Sequence, residues 1–196
     1  MRKKVFEVAD FPTSEQLDEA LSRAKYRRGF ASMMRNTIYA LIIVAAVAVL
    51  IAMLVLPVLR IYGSSMSPTL DEGNVVVSVR GNSFETGDMI AFYYNNKVLV
   101  KRVIAKAGQW VDIDEEGNVY VDGSLLNEPY VDEKALGECD IALPYQVPES
   151  RIFVMGDHRS VSIDSRSTSV GCVAEEQIVG KIKFRIWPFE QVGILD

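Results

Sequence analysis

Three places in this 196-residue chain gather groups that could perform nucleophilic chemistry. The first is Gly63-Ser64-Ser65-Met66-Ser67-Pro68-Thr69-Leu70, where three hydroxyls stand between a glycine and a proline. A turn of that composition can aim a hydroxyl outward and leave backbone N–H groups free. The second is Lys101, which follows Val98-Leu99-Val100 and precedes Arg102-Val103-Ile104. The third is Gly156-Asp157-His158-Arg159-Ser160-Val161-Ser162-Ile163-Asp164-Ser165-Arg166, polar and turn-rich.

A serine hydroxyl needs a base before it attacks. His158 is the single histidine, and its neighbour Asp157 suggests a Ser-His-Asp arrangement. In such a triad the acid orients the far imidazole nitrogen from elsewhere in the fold, which adjacent loop residues rarely do. Lysine is the better candidate. On a strand, Leu99, Lys101 and Val103 share one face, and Val100, Arg102 and Ile104 share the other. Both faces are otherwise apolar, so the amine lies on an apolar surface. An ordinary lysine titrates near about 10.4. Desolvation disfavours the ammonium and lowers that value by up to about 3–5 units on full burial. A neutral amine can then accept the serine proton. The competing reading is a snorkelling or edge-strand lysine. The third cluster reads either as a solvated loop or as an ion-paired support, Asp164 with Arg166 or Asp157 with Arg159.

These groups need elements to hold them. Residues 36–59 carry no charge, and Thr37 to Leu56 is 20 residues, about 30 Å of helix, the thickness of a hydrocarbon core. A secretory signal has a shorter apolar region, about 7–15 residues, followed by small residues. Here the flank is Val55-Leu56-Pro57-Val58-Leu59-Arg60, which is bulky, so an uncleaved anchor over residues 37–59 is expected. Residues 1–36 hold eight Lys/Arg, and only Arg60 follows closely beyond the span. The positive-inside rule puts residues 1–36 in the cytoplasm and residues 60–196 outside. That outer portion has 13 basic and 21 acidic residues, a net −8, which argues against nucleic acid as a partner. Cys139 and Cys172 both lie in it, and their spacing leaves a disulfide or two free thiols open.

Residues 13–35 read as a helix, with Thr13 or Ser14 as cap and Leu17 and Leu21 on one face. From Arg60 onward short runs rich in Val, Ile, Tyr and Phe predict strands at 74–79, 89–94, 97–105, 110–113, 118–121, 151–155 and 177–186. Asn95-Asn96, Gly117-Asn118 and Asp122-Gly123 mark turns. Residues 124–150 look like an irregular excursion. The fold class expected is mainly β, an antiparallel catalytic domain of residues 60–196 behind one N-terminal transmembrane helix.

At the three clusters, and at a fourth site, the sequence resembles bacterial type I signal peptidases. Gly63–Leu70 is similar to the family's serine box, with Ser65 at the nucleophile. Thr86-Gly87-Asp88-Met89-Ile90-Ala91-Phe92 resembles the Gly-Asp strand box, Lys101-Arg102-Val103 the general-base box, and Gly156-Asp157 with Ser162–Arg166 the C-terminal box. The four occur in the family's order, and the likeness covers about residues 37–190. The resemblance implies a membrane-anchored Ser/Lys endopeptidase that removes signal peptides from exported preproteins. Ser65 would be the nucleophile and Lys101 the base, with the Ser65 N–H at the oxyanion. Ser162, Asp164, Arg166 and Gly156 would support them, and Ile61, Met66, Leu70, Leu99 and Val100 would bind substrate with small residues at −1 and −3. It further implies a monomer in contact with membrane lipid, and no metal or cofactor. Gly63 stands where some members carry a serine, so no side-chain hydroxyl can assist the oxyanion there. His158, Val161, Ala107 and Gln109 also depart from common family residues. Endoplasmic-reticulum-type relatives have histidine where Lys101 stands. The competing class is a non-catalytic, membrane-tethered β-domain that binds a surface partner.

Overall fold

The computed structural model describes residues 13–81 and 83–195. It contains one long helix and a β-rich unit that begins at Met53. Helix α1 runs from Ser14 to Val55, 42 residues or about 63 Å at 1.5 Å per residue. Thr13 caps it: Gln16 N–H donates to Thr13 Oγ1 at 3.4 Å, and the Gln16 side chain accepts from Thr13 N–H at 3.2 Å. The basic stretch and the apolar stretch are therefore one helix, because the shift from polar to apolar residues does not interrupt the backbone. Among the described residues it is the one helix long and apolar enough to cross a membrane. It stops before Pro57, whose ring disfavours a helical conformation in the residue before it. The last residues of the expected span are not helical, since Val58–Arg60 form strand β1.

The β-unit comprises β2 (Val75–Val79), β3 (Met89–Tyr94), β4 (Lys97–Ala105), β5 (Trp110–Ile113), β6 (Val119–Val121), β7 (Ser124–Leu125), β8 (Tyr145–Gln146), β9 (Arg151–Met155), β10 (Val173–Ala174), β11 (Ile178–Trp187) and β12 (Gly193–Ile194). All pairings are antiparallel. The larger sheet has the order β1-β2-β11-β3-β4-β9-β10, with β12 on β11, and the smaller has the order β7-β6-β5-β8. The mainly antiparallel β fold expected from sequence is the one observed.

Asn95 and Asn96 take left-handed conformations, φ 43° and 65°, and turn β3 into β4 with Tyr94 opposite Lys97. Two central strands thus enter the core in a fixed register, with Ile90 opposite Lys101 and Met89 opposite Arg102. Each fully buried aliphatic or Phe side chain contributes about 1.5–3 kcal/mol relative to exposure. The core falls into three clusters. Ile104, Val111, Val119 and Phe153 join the two sheets. Ile61, Met66, Leu70, Val76, Met89 and Ile182 pack under the serine turn. Phe92, Val103, Ile152 and Val154 fill the far side of the larger sheet.

Candidate active site

The serine turn is clamped at both ends. Ile61 N–H donates to Asn74 O at 2.8 Å, and Gly73 N–H donates to Ile61 O at 3.0 Å. Within it Ser67 N–H reaches Ser64 O at 3.1 Å and Leu70 N–H reaches Met66 O at 2.8 Å. Ile61 before the turn and Met66 and Leu70 within it are buried, so it is anchored on both sides of Ser64 and Ser65. Gly63 has φ +79°, a conformation glycine adopts without the strain a serine would suffer. Ser65 N–H donates no hydrogen bond among the described residues.

Lys101 is 3% exposed. Its Nζ donates to Ser162 Oγ at 2.9 Å; Ser162 Oγ donates in turn to Asp164 Oδ2 at 2.7 Å. Asp164 also accepts from Gly156 N–H at 2.9 Å, and from Arg166 through Nε and Nη2, both at 2.9 Å. Burial holds the Lys101 amine down at about 8, against an opposing pull from Asp164; Arg166 pushes it further down and Asp157 pulls it up. Burial pushes the Asp164 carboxyl up, but the hydrogen bonds and charge of Arg166 outweigh that and hold it below its usual range.

Gly156 brings serine turn and lysine together. A Cβ placed there would overlap Ser162 Oγ and Ser65 O, so those two atoms lie a few ångströms apart across a glycine. His158 N–H donates to Ser65 O at 3.2 Å, and the His158 ring nitrogen Nδ1 lies 3.3 Å from Ser64 O. The imidazole therefore faces the backbone of the serine turn. Among the described residues Lys101 Nζ has no hydrogen bond to Ser65 Oγ.

A cavity of about 640 Å³ opens beside Ser65. Ile61, Gly63, Ser65 and Met66 form one wall, and Lys97, Val98, Leu99 and Val100 form the other. Leu70 is not in that lining; it is fully buried beneath the turn. Strand β9 pairs with β4 only from Arg102 onward, so the edge of residues 97–100 beside the cavity is unpaired among the described strands.

Arg102 points to the opposite face of β4 and ties three of the motifs together. It donates to Asp157 through Nε at 2.9 Å and Nη2 at 2.7 Å, to Gly87 O at 2.7 Å and to Thr69 Oγ1 at 3.3 Å. The Tyr130 ring lies 3.8 Å beneath its guanidinium. Of the two ion pairs expected inside the loop, Asp164–Arg166 forms. Asp157 instead pairs with Arg102, and Arg159 pairs with Glu128. Asp157 and Arg159 thus each find a partner from another segment, while Asp164 and Arg166 pair within the loop. Thr69, Glu128 and Tyr130 were not legible as site residues. Arg102, a second cation on an apolar strand, was the available signal.

Both cysteines are free; burial pushes the Cys172 thiol up to about 11. No group of three or more His, Cys, Asp or Glu among the described residues could hold a metal ion.

Residues 34–187 match the family model described as signal peptidase, peptidase S26. Signal peptidase I of Bacillus amyloliquefaciens is 35% identical over 195 residues, covering 92% of this chain and 95% of its own. Signal peptidase IB of Staphylococcus aureus (strain Mu50 / ATCC 700699) is 36% identical over 151 residues, covering 67% of this chain and 78% of its own. A crystal structure of a signal peptidase I from Enterococcus faecalis V583 shares 27% identity, with a TM-score of 0.42, over 50% of this chain and 96% of that one. With the family model matching residues 34–187 and a relative 35% identical over 92% of this chain and 95% of its own, the chain belongs to the signal peptidase family, peptidase S26.

Proposed function

We propose that this peptidase is a membrane-anchored Ser/Lys-dyad enzyme that removes N-terminal signal peptides from exported preproteins. The observation that carries the reading is Lys101, buried, depressed to about 8, and held by a neutral hydroxyl next to the serine turn. Ser65 Oγ bonds to the scissile carbonyl carbon while its proton passes to Lys101 Nζ. The resulting oxyanion accepts the Ser65 N–H. The Lys101 ammonium then protonates the leaving amine as the C–N bond breaks. Water next attacks the acyl-enzyme, Lys101 takes its proton, and Ser65 regains its own. An extended substrate lies along the open edge of residues 97–100, with Ile61, Met66, Leu99 and Val100 shaping pockets for small residues at −1 and −3. Ser162, Asp164, Arg166 and Gly156 hold the amine in place.

One assay panel tests this. Full-length Ser65→Ala in detergent is expected to lose preprotein cleavage, by at least roughly 10³-fold. Ser64→Ala and His158→Ala are expected to stay within a few-fold of wild type. Cleavage by Ser65→Ala would remove the nucleophile, and loss in a folded His158→Ala would replace the lysine mechanism with a histidine one.

We further propose that α1 crosses the membrane, with residues 1–36 cytoplasmic and residues 60–196 outside. The eight-to-one basic asymmetry across the span supports this. The outer portion, net −8, acts as a monomer at the lipid surface without nucleic acid. Protease added to intact spheroplasts is expected to degrade the β-unit. Its protection would reverse the orientation.

A further inference from the structure

The segment between β7 and β8 crosses the catalytic loop and grips it at three points. Glu128 takes both terminal nitrogens of Arg159, Nη1 at 3.1 Å and Nη2 more closely, with both side chains fully buried. The carbonyls of Ala135 and Leu136 accept from Arg166 Nη1 at 3.4 and 2.6 Å. Asp140 N–H donates to Arg166 O at 3.1 Å, while its carboxylate accepts from Thr168 N–H at 2.6 Å and Thr168 Oγ1 at 2.8 Å. Two of the gripped residues act directly on the base's surroundings. Arg159 Nε donates to Gly156 O at 3.1 Å, and Gly156 is the glycine that separates Ser65 O from Ser162 Oγ. Arg166 fixes both oxygens of Asp164, which accepts from the hydroxyl that receives the Lys101 amine.

We propose that residues 128–140 form a strap that positions the Lys101 base, and that Gly137 is the residue that lets the strap close onto Arg166. Gly137 has φ +64°, and a Cβ there would lie 2.5 Å from Arg159 O and 2.7 Å from Arg166 Nη1. Any side chain at 137 pushes the strap and the guanidinium apart. The proposal rests on Lys101 being the base.

A displaced Arg166 leaves Asp164 less neutralised beside the lysine and withdraws a positive charge from it. Both changes favour the ammonium. The expected signature is an acid limb of kcat/KM moved to higher pH, with KM little changed because no cavity residue is touched.

The control is Gly123, which has φ +77° and nothing within 4 Å of an added Cβ. Gly123→Ala bears the same backbone strain without the collision.

The experiment measures kcat/KM from pH 6 to 10 for full-length protein in detergent, on a peptide with alanine at −3 and −1. Gly137→Ala is expected to lose roughly tenfold at pH 7 and to regain activity above the shifted limb. Gly123→Ala is expected to match wild type. Asp140→Asn, at an exposed position, is expected to move the limb the same way by less, and it decides the matter if Gly137→Ala does not fold. A wild-type limb in every folded strap variant, or an equal shift in Gly123→Ala, overturns the proposal. Turnover by Lys101→Arg overturns the dyad itself, so the two failures are distinct.

Discussion

Lys101 and Arg102 are neighbours on β4, 3% and 2% exposed, and the fold treats them in opposite ways. Arg102 receives a bidentate carboxylate, a backbone carbonyl, a hydroxyl and an aromatic face. Its charge is neutralised and fixed. Lys101 receives one neutral hydroxyl, and the nearest carboxylate, Asp164, is already committed to Arg166. Equal burial therefore produces a permanent cation at one position and a titrating amine at the next. Guanidinium suits the first role because it stays protonated and forks onto a carboxylate; a primary amine suits the second because burial can neutralise it. What separates a fixed cation from an amine that burial can neutralise is which partners are supplied.

The largest expected effect comes from erasing that distinction. Lys101→Arg puts a group that cannot deprotonate where the proposed base stands, so kcat/KM is expected to fall on the order of 10⁴-fold. Substantial turnover would leave Lys101 a structural role only. In wild type, the amine must be neutral to act, so activity is expected to rise with pH through about 8. Lys101→Met tests the same site through stability. The folded value is depressed below the unfolded 10.5, so the unfolded chain binds the extra proton and folding is penalised. The penalty, about 3 kcal/mol, is complete below pH 8, shrinks between about 8 and 10.5, and is gone above. Lys101→Met is therefore expected to be inactive yet more stable than wild type near pH 7, with the two converging at high pH in urea titrations. A constant difference across that window would contradict a depressed lysine.

The opposite treatment is tested by taking Arg102's carboxylate away. Asp157→Ala leaves a buried, uncompensated guanidinium and is expected to cost about 3–5 kcal/mol. Joint replacement, Arg102→Met with Asp157→Leu, is expected to recover much of that loss. Urea midpoints at pH 7 read both. A single Asp157→Ala variant as stable as wild type would mean that the pair does not hold the loop.

Much of this comparison was legible beforehand. The alternation around residue 101 marked a cation on an apolar strand, and β3, β4, β5 and β9 lie on the runs that predicted them. The same alternation holds for Arg102, but a periodic pattern does not reveal that one cation will meet Asp157 and the other will not. The pairing of Arg159 was hidden because Glu128 is 31 residues away in a segment without periodicity. Strand β1 was masked because Val58 and Leu59 continue the apolar run of the helix. The two-residue strands β7, β8, β10 and β12 are too short to show alternation.

The Arg102 knot has a consequence for the life of the chain before it is finished. It joins Thr69, Gly87, Tyr130 and Asp157, and the Thr69–Asp157 hydrogen bond spans 88 positions. Closing loops of that length costs entropy that only the completed set of contacts offsets. A nascent or partly unfolded molecule thus has its serine and its lysine but not the frame that would make them the proposed pair. On the proposed Ser/Lys mechanism, proteolytic competence is expected to arrive only with the last of the fold, leaving a misassembled copy inert toward the proteins around it.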